Sequence, residues 1–205
     1  MARPREFDRD EALEKARDAF WARGYEGTSM ADLVSALGLA SARIYAAFGS
    51  KEELFREAVR LYEANEGGFV ARALADEPTV LRALTRILRE AVVTYTRPGR
   101  PRGCMVVTAA TNCAVENDGV REWLVEVRCN QSAAIIERLK QAILEGELAP
   151  DADADAVLLG DYVTSILHGL SVQARDGVPK KRLFALGTLA LQTLPITTYR
   201  ADHLK

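Results

Sequence analysis

Four polar side chains within one short stretch, Ser41, Arg43, Tyr45 and Lys51, offer the most directed chemistry in this sequence. A hydroxyl, a guanidinium, a phenol and an ammonium are hydrogen-bond donors, the groups that hold phosphate oxygens and read the acceptor edges of bases. Thr28 stands upstream of them with a fifth donor. Between them lie Ala40, Ala42, Ala46 and Ala47, which are too small to keep the segment away from a surface it docks on. Arg43 is the one long donor among these alanines, able to make a bidentate pair with guanine or to bind phosphate. Ala42 and Ala46 have the size to contact thymine methyls.

Other chemistries fare worse. Cys104, Cys113 and Cys129 are dispersed, with no C-x-x-C pair, and neither they nor the two histidines have zinc-ligand spacing. The run "DADADA" at 151–156 resembles the start of a calcium loop, but its sixth position is Ala156 rather than Gly and its twelfth is Tyr162 rather than Glu. Nothing in the sequence activates a Cys–His pair such as Cys104 with His168. Cys104 follows "RPGRPRG", so it reads either as an electropositive, redox-sensitive thiol or as a small buried hydrophobe. No metal or cofactor is called for.

The elements that must position the donors are helices. Asp8 and Glu11 open a first helix in a capping-box-like pair, with Leu13, Ala16 and Phe20 on one face. Thr28 or Ser29 caps a second, whose stripe is Met30, Leu33, Val34 and Leu37 and whose end is Gly38. A third, short helix holds Ile44, Tyr45 and Phe48, with its start at Ala40 or Ser41, and Gly49 stops it. Ser50 with Glu53 starts a fourth. Longer helices are expected near 79–96, 103–115, 118–146, 153–175 and 179–194, so the fold class is all-α, with a hinge along the fourth helix near 50–66. The 205 residues suffice for one large or two small domains, and 48% apolar with 27% charged residues suits a soluble globular chain. A net charge of −2 gives no general attraction to nucleic acid, so a basic surface must be local. The odd cysteine count, the absence of a signal-peptide pattern and the lack of a membrane-spanning apolar run point to a cytoplasmic protein with no membrane partner.

Residues 29–48 thus form two short helices about a Gly-containing turn, the spacing of a DNA-binding helix-turn-helix and equally of an ordinary αα-hairpin. The residues themselves go further. "TSMADLVSALGLASARIYAAFGSKEELF", 28–55, with "ARDAFWARGYEGTS" before it, resembles the N-terminal domain of the TetR family of bacterial transcriptional regulators. The resemblance spans about residues 8–62. It implies a DNA-binding domain over 6–66 and a C-terminal effector-binding and dimerisation domain over 67–205. It implies that Thr28, Tyr45 and Lys51 hold phosphates, that Ser41, Ala42 and Arg43 read bases, and that Phe48 and Leu54 are core. Arg3 and Arg5, with Arg9, would form an arm toward the minor groove or the backbone, or a terminus with no fixed role. The partners implied are a double-stranded operator, a second copy of the chain and a small-molecule effector. The protein would be a ligand-responsive regulator, by family habit a repressor. The rival is a helical ligand-binding or enzymatic protein whose N-terminal helices only pack.

Two C-terminal segments, 156–170 and 183–194, are apolar almost all round, as buried helices are. Either they form a deep monomeric core or a second copy covers them. The family's habit favours a four-helix dimer interface through Leu158, Gly160, Leu167, Leu183, Gly187, Leu191 and Leu194. Polar residues recur at helical spacing in the same region: Cys104, Thr108, Thr111 and Asn112; Trp123, Asn130 and Gln131; Thr164, Ser165 and His168; and Tyr95 and Tyr162 beside them. They would line an effector pocket, or else satisfy one another between helices.

Overall fold

The computed structural model describes residues 7–109, 113–148 and 155–195, and the statements below concern these. Arg3, Arg5, Thr111 and Asn112 lie outside them. Ten α-helices and no strand are present among the described residues: α1 (Arg9–Arg23), α2 (Met30–Leu37), α3 (Ser41–Phe48), α4 (Lys51–Ala64), α5 (Phe69–Asp76), α6 (Val80–Tyr95), α7 (Met105–Thr108), α8 (Asp118–Leu144), α9 (Ala156–Arg175) and α10 (Lys180–Gln192). A single 3₁₀ turn, Val115–Asn117, leads into α8. No single helix among the described residues is long and apolar enough to cross a membrane.

The caps follow from side-chain chemistry. Asp8 accepts from the amides of Asp10 and Glu11 at the start of α1. Ser29, not Thr28, caps α2 in a reciprocal box with Asp32, and Ser50 accepts from the amide of Glu53 at the start of α4. Helix α3 starts after Ala40 with no side-chain cap, so Ser41 is its first helical residue.

One helix and one length differ from expectation. Helix α5 was not foreseen, although Phe69, Val70 and Ala73 give it a buried face just after the glycine pair. Helix α7 has four residues where a segment of 103–115 was expected, because the Ala109 carbonyl accepts from the Tyr25 amide at 2.9 Å instead of continuing a helical ladder.

One apolar core runs through both ends of the chain. Phe20 meets Phe55 edge-on at 5.0 Å, Trp21 meets Tyr62 at 4.8 Å, and the Trp21 indole donates to the Gly103 carbonyl at 3.0 Å. Helices α1 and α4 therefore hold the first three helices against the loop before α7. Burying a side chain such as Phe55 contributes about 1.5–3 kcal/mol, and its ring also touches Trp123 of α8. Behind this, α6 buries Val80, Leu84, Ile87, Leu88, Ala91, Val92 and Tyr95 against α8, α9 and α10. Helix α9 crosses α8 at Gly160, where a Cβ would stand 2.3 Å from Ile136.

Candidate nucleic-acid interface

Helices α2 and α3 meet at 91°. Gly38 makes the corner at φ +67°, with nothing within 4 Å of where its Cβ would be, so glycine serves the backbone conformation there and not space. Leu33, Leu37, Ile44 and Phe48 are buried and fix the two helices to α1 and α4. The opposite face of α3 is thereby turned outward: Ser41, Ala42, Arg43, Tyr45 and Ala46 are all exposed. Eight residues make a rod of about 12 Å, on the scale of the major groove, about 12 Å wide. The Arg43 guanidinium lies 5.5 Å from the Phe7 ring. Tyr45 is 48% exposed and projects its phenol from the same helix.

Two residues expected to hold phosphate, Thr28 and Lys51, and one expected in an N-terminal arm, Arg9, have partners within the chain. Thr28 is fully buried: its hydroxyl donates to the Gly24 carbonyl at 2.7 Å and its amide points to the Tyr25 carbonyl at 3.4 Å. It locks the turn between α1 and α2 and has no donor left for a phosphate. Lys51 is half-buried with its ammonium 4.2 Å from the centre of the Tyr25 ring, and burial lowers its pKa. Its charge is directed onto that ring rather than outward. Arg9 belongs to α1, not to an arm. It stacks 4.5 Å from the Phe48 ring, reaches the Ala47 carbonyl and pairs with Glu57 at 2.8 Å, stapling α1, α3 and α4 together.

Among the described residues, the C-terminal polar side chains are spread over several places in the fold. Tyr95 and Cys104 are buried beside Tyr62, whose hydroxyl donates to the Cys104 sulfur at 3.5 Å. Burial pushes the Cys104 thiol up and both phenols well up. Of the two readings of Cys104, this enclosure fits the small buried hydrophobe. Thr108 donates to the Cys104 carbonyl at 2.8 Å. Trp123 packs between Phe55 and the Arg56 guanidinium, 4.8 Å away, at the joint of α4 and α8. Asn130 is exposed and Gln131 half-buried on α8. Thr164 donates to Ser132 at 3.2 Å, bridging α9 and α8. His168 faces Arg128; burial first, then that charge, lowers its pKa. Tyr162 accepts from Thr193 at 2.9 Å and, with exposed Ser165, belongs to the outer face of α9 and α10.

That outer face is apolar. Leu158 is 67% exposed and Leu189 57%, and a depression of about 160 Å³ is lined by Leu189, Tyr162, Ile166, Gly169 and Leu186 among others. Of the expected interface residues only Leu158 is on it. Gly160, Leu167, Leu183, Gly187, Leu191 and Leu194 are buried in the chain's own core, Gly160 against Ile136 and Gly187 against Leu88.

Residues 12–58, which contain α2 and α3, match the family described as bacterial regulatory proteins of the tetR family, and residues 80–175 match a tetracyclin repressor-like C-terminal domain. The chain belongs to the TetR family. Over 194 residues, covering 94% of this chain and 91% of the relative, this TetR-family protein is 31% identical to the HTH-type transcriptional repressor ComR of Escherichia coli K12. It is 28% identical to the repressor BdcR of the same organism over 92% of its length and 89% of that of BdcR. It superposes with a TM-score of 0.88 on a cysteine mutant of the TetR-family regulator CifR, complexed with 26-bp double-strand operator DNA, at 42% identity over 94% of this chain and all of that one. The protein is a DNA-binding transcriptional regulator of all-α TetR architecture.

Some working residues had no sequence signal. Glu26 accepts from the Ala114 amide at 2.8 Å and from Asn117 Nδ2 at 2.7 Å. Arg175 donates to the Ala22 carbonyl at 2.8 Å and to Thr108 Oγ1 at 3.1 Å. Both join segments far apart in the chain, where neither periodicity nor spacing reaches.

Proposed function

We propose that this TetR-family regulator represses transcription as a homodimer on a pseudo-palindromic operator and is released by a small-molecule effector. The observation that carries the reading is the outward row on α3: one long donor, Arg43, beside Ser41, Ala42, Tyr45 and Ala46, on a helix whose other face is locked by Ile44 and Phe48. Residues 6–66 act as the DNA-binding domain and 67–205 as the effector-binding and dimerisation domain. Arg43 supplies a bidentate contact to guanine, worth about 1–3 kcal/mol of discrimination per half-site. Tyr45 gives its hydroxyl to a phosphate, and Ala42 and Ala46 accept thymine methyls.

The exposed face of α9 and α10 pairs with itself about a two-fold axis, which sets the two α3 helices in successive major grooves about 34–36 Å apart. An effector acts through the C-terminal helices by binding more tightly to an orientation that misplaces that spacing, and it shifts the equilibrium only by that difference in affinity. Such a regulator works where chromosomal DNA is, in the cytoplasm. The direct test is selection of binding sites from random duplex DNA by the purified protein. Enrichment of an inverted repeat supports the reading, and no preference over bulk competitor at low salt overturns it.

A further inference from the structure

We propose that Arg175, seconded by Glu26, is a positioning residue that holds the DNA-binding helices at a set angle to the helix carrying the exposed apolar face. Arg175 ends α9, and its guanidinium reaches across 153 positions of sequence to the last turn of α1. One arm donates to the Ala22 carbonyl at 2.8 Å and the other to Thr108 Oγ1 at 3.1 Å. The carbonyls of a last helical turn lack intrahelical partners and carry the negative end of the helix dipole, so a guanidinium there satisfies both. On the other side of the same joint, the Glu26 carboxylate grips the Ala114 amide and the Asn117 side chain just before α8. Those two bonds, with the nearby charge of Lys51, hold its pKa below the usual range.

Between these two grips the surfaces are not packed solid. A crevice of about 430 Å³ lies there, lined by Arg23, Gly24, Val107, Ala109, Val172 and Arg175 among others. The Tyr25 amide to Ala109 carbonyl bond crosses beside it. Directional polar bonds therefore set the angle at this edge of the joint, where apolar packing is thin. A rotation of the joint moves α3 relative to α9, and in a dimer built on α9 that changes the separation of the two α3 helices. Arg175 thus acts on DNA through geometry, without touching it.

The inference rests on the operator-binding reading above and is tested on the full-length dimer. Binding is measured to a consensus inverted repeat chosen by the unaltered protein, and to the same half-sites with the spacer lengthened or shortened by one and two base pairs. The unaltered protein should show a sharp optimum. Arg175→Met should bind the optimal spacer about tenfold more weakly and lose most of the preference among spacers. Arg175→Lys, which keeps the charge and loses the planar fork, should behave like Arg175→Met. Glu26→Ala serves as a second probe, should Arg175→Met not yield a folded dimer, and should also flatten the spacer profile.

Three results overturn the proposal: an unchanged spacer profile, equal weakening at every spacer length (general destabilisation), or full function in Arg175→Lys, which would assign the effect to charge. Failure of the unaltered protein to select any DNA would instead overturn the operator-binding reading itself.

Discussion

Thr28→Val separates two roles that the sequence alone left together. In the structure the hydroxyl is fully buried and its one strong bond, 2.7 Å to the Gly24 carbonyl, closes the turn that aims α2. Valine keeps the shape and the β-branch but leaves that carbonyl with one partner fewer in a dry site. Removing one partner of a buried hydrogen bond costs about 1–3 kcal/mol, against about 0.5–1.5 kcal/mol for the net value of an ordinary bond, so a loss near 2 kcal/mol is expected. Urea unfolding of the dimer at fixed protein concentration reads it as a lowered midpoint with an unchanged slope. Operator affinity, measured where the dimer is fully folded, reads the other role. A threonine hydroxyl is uncharged, so a phosphate contact from it would contribute affinity but not salt slope, and losing it would weaken binding by about fivefold per half-site. The structure predicts lower stability with unaltered operator affinity. Unaltered stability with weakened affinity would refute the buried-turn assignment.

Leu189→Asp should break the dimer, because the side chain is 57% exposed in the single chain and an unpaired carboxylate at the centre of an apolar interface weakens association by about a hundredfold or more; sedimentation velocity would show monomers with native helicity. Arg43→Ala should lose discrimination at one base position in each half-site, at about 1–3 kcal/mol, while affinity for non-specific DNA falls little; competition with singly substituted operators measures it. Below the pKa of an unfolded histidine, about 6.5, stability should fall with pH. The His168 pKa is depressed by burial and by Arg128, so the unfolded chain takes up the proton first. His168→Gln should flatten that part of the stability profile, and thermal melts between pH 7 and 5 would show it.

The N-terminal helices were legible because their signals are local. Asp8, Ser50 and the glycines at 38 and 49 act on residues within one turn, and the buried set Leu33, Leu37, Ile44 and Phe48 has the period of its helices. Partner choice was not legible. Thr28 and Lys51 carry the right donors at the right places, yet the Gly24 carbonyl and the Tyr25 ring draw them inward. In α9 and α10 the difficulty is symmetry. When a helix is apolar on every side, periodicity does not say which stripe meets the chain's own core, so Gly160 and Leu167 were assigned outward while Ile166 and Leu189 were missed. Polar stripes mislead for a related reason: Thr164 and Thr108 are satisfied by Ser132 and the Cys104 carbonyl, partners on other turns or other helices. Helix α7 ends early because a tertiary bond at Ala109 outweighs local helix propensity.

The central claim is that two copies of α3, held by one dimer, enter two major grooves on the same side of a duplex. Hydroxyl-radical footprinting of the dimer on its selected operator tests this most directly. The account predicts two protected half-sites related by inverted symmetry, with centres one helical turn, about 10–10.5 bp, apart, and, with dimethyl sulfate as the probe, loss of guanine N7 protection in each half-site in Arg43→Ala. A single protected site, or uniform protection without a repeat, would contradict it.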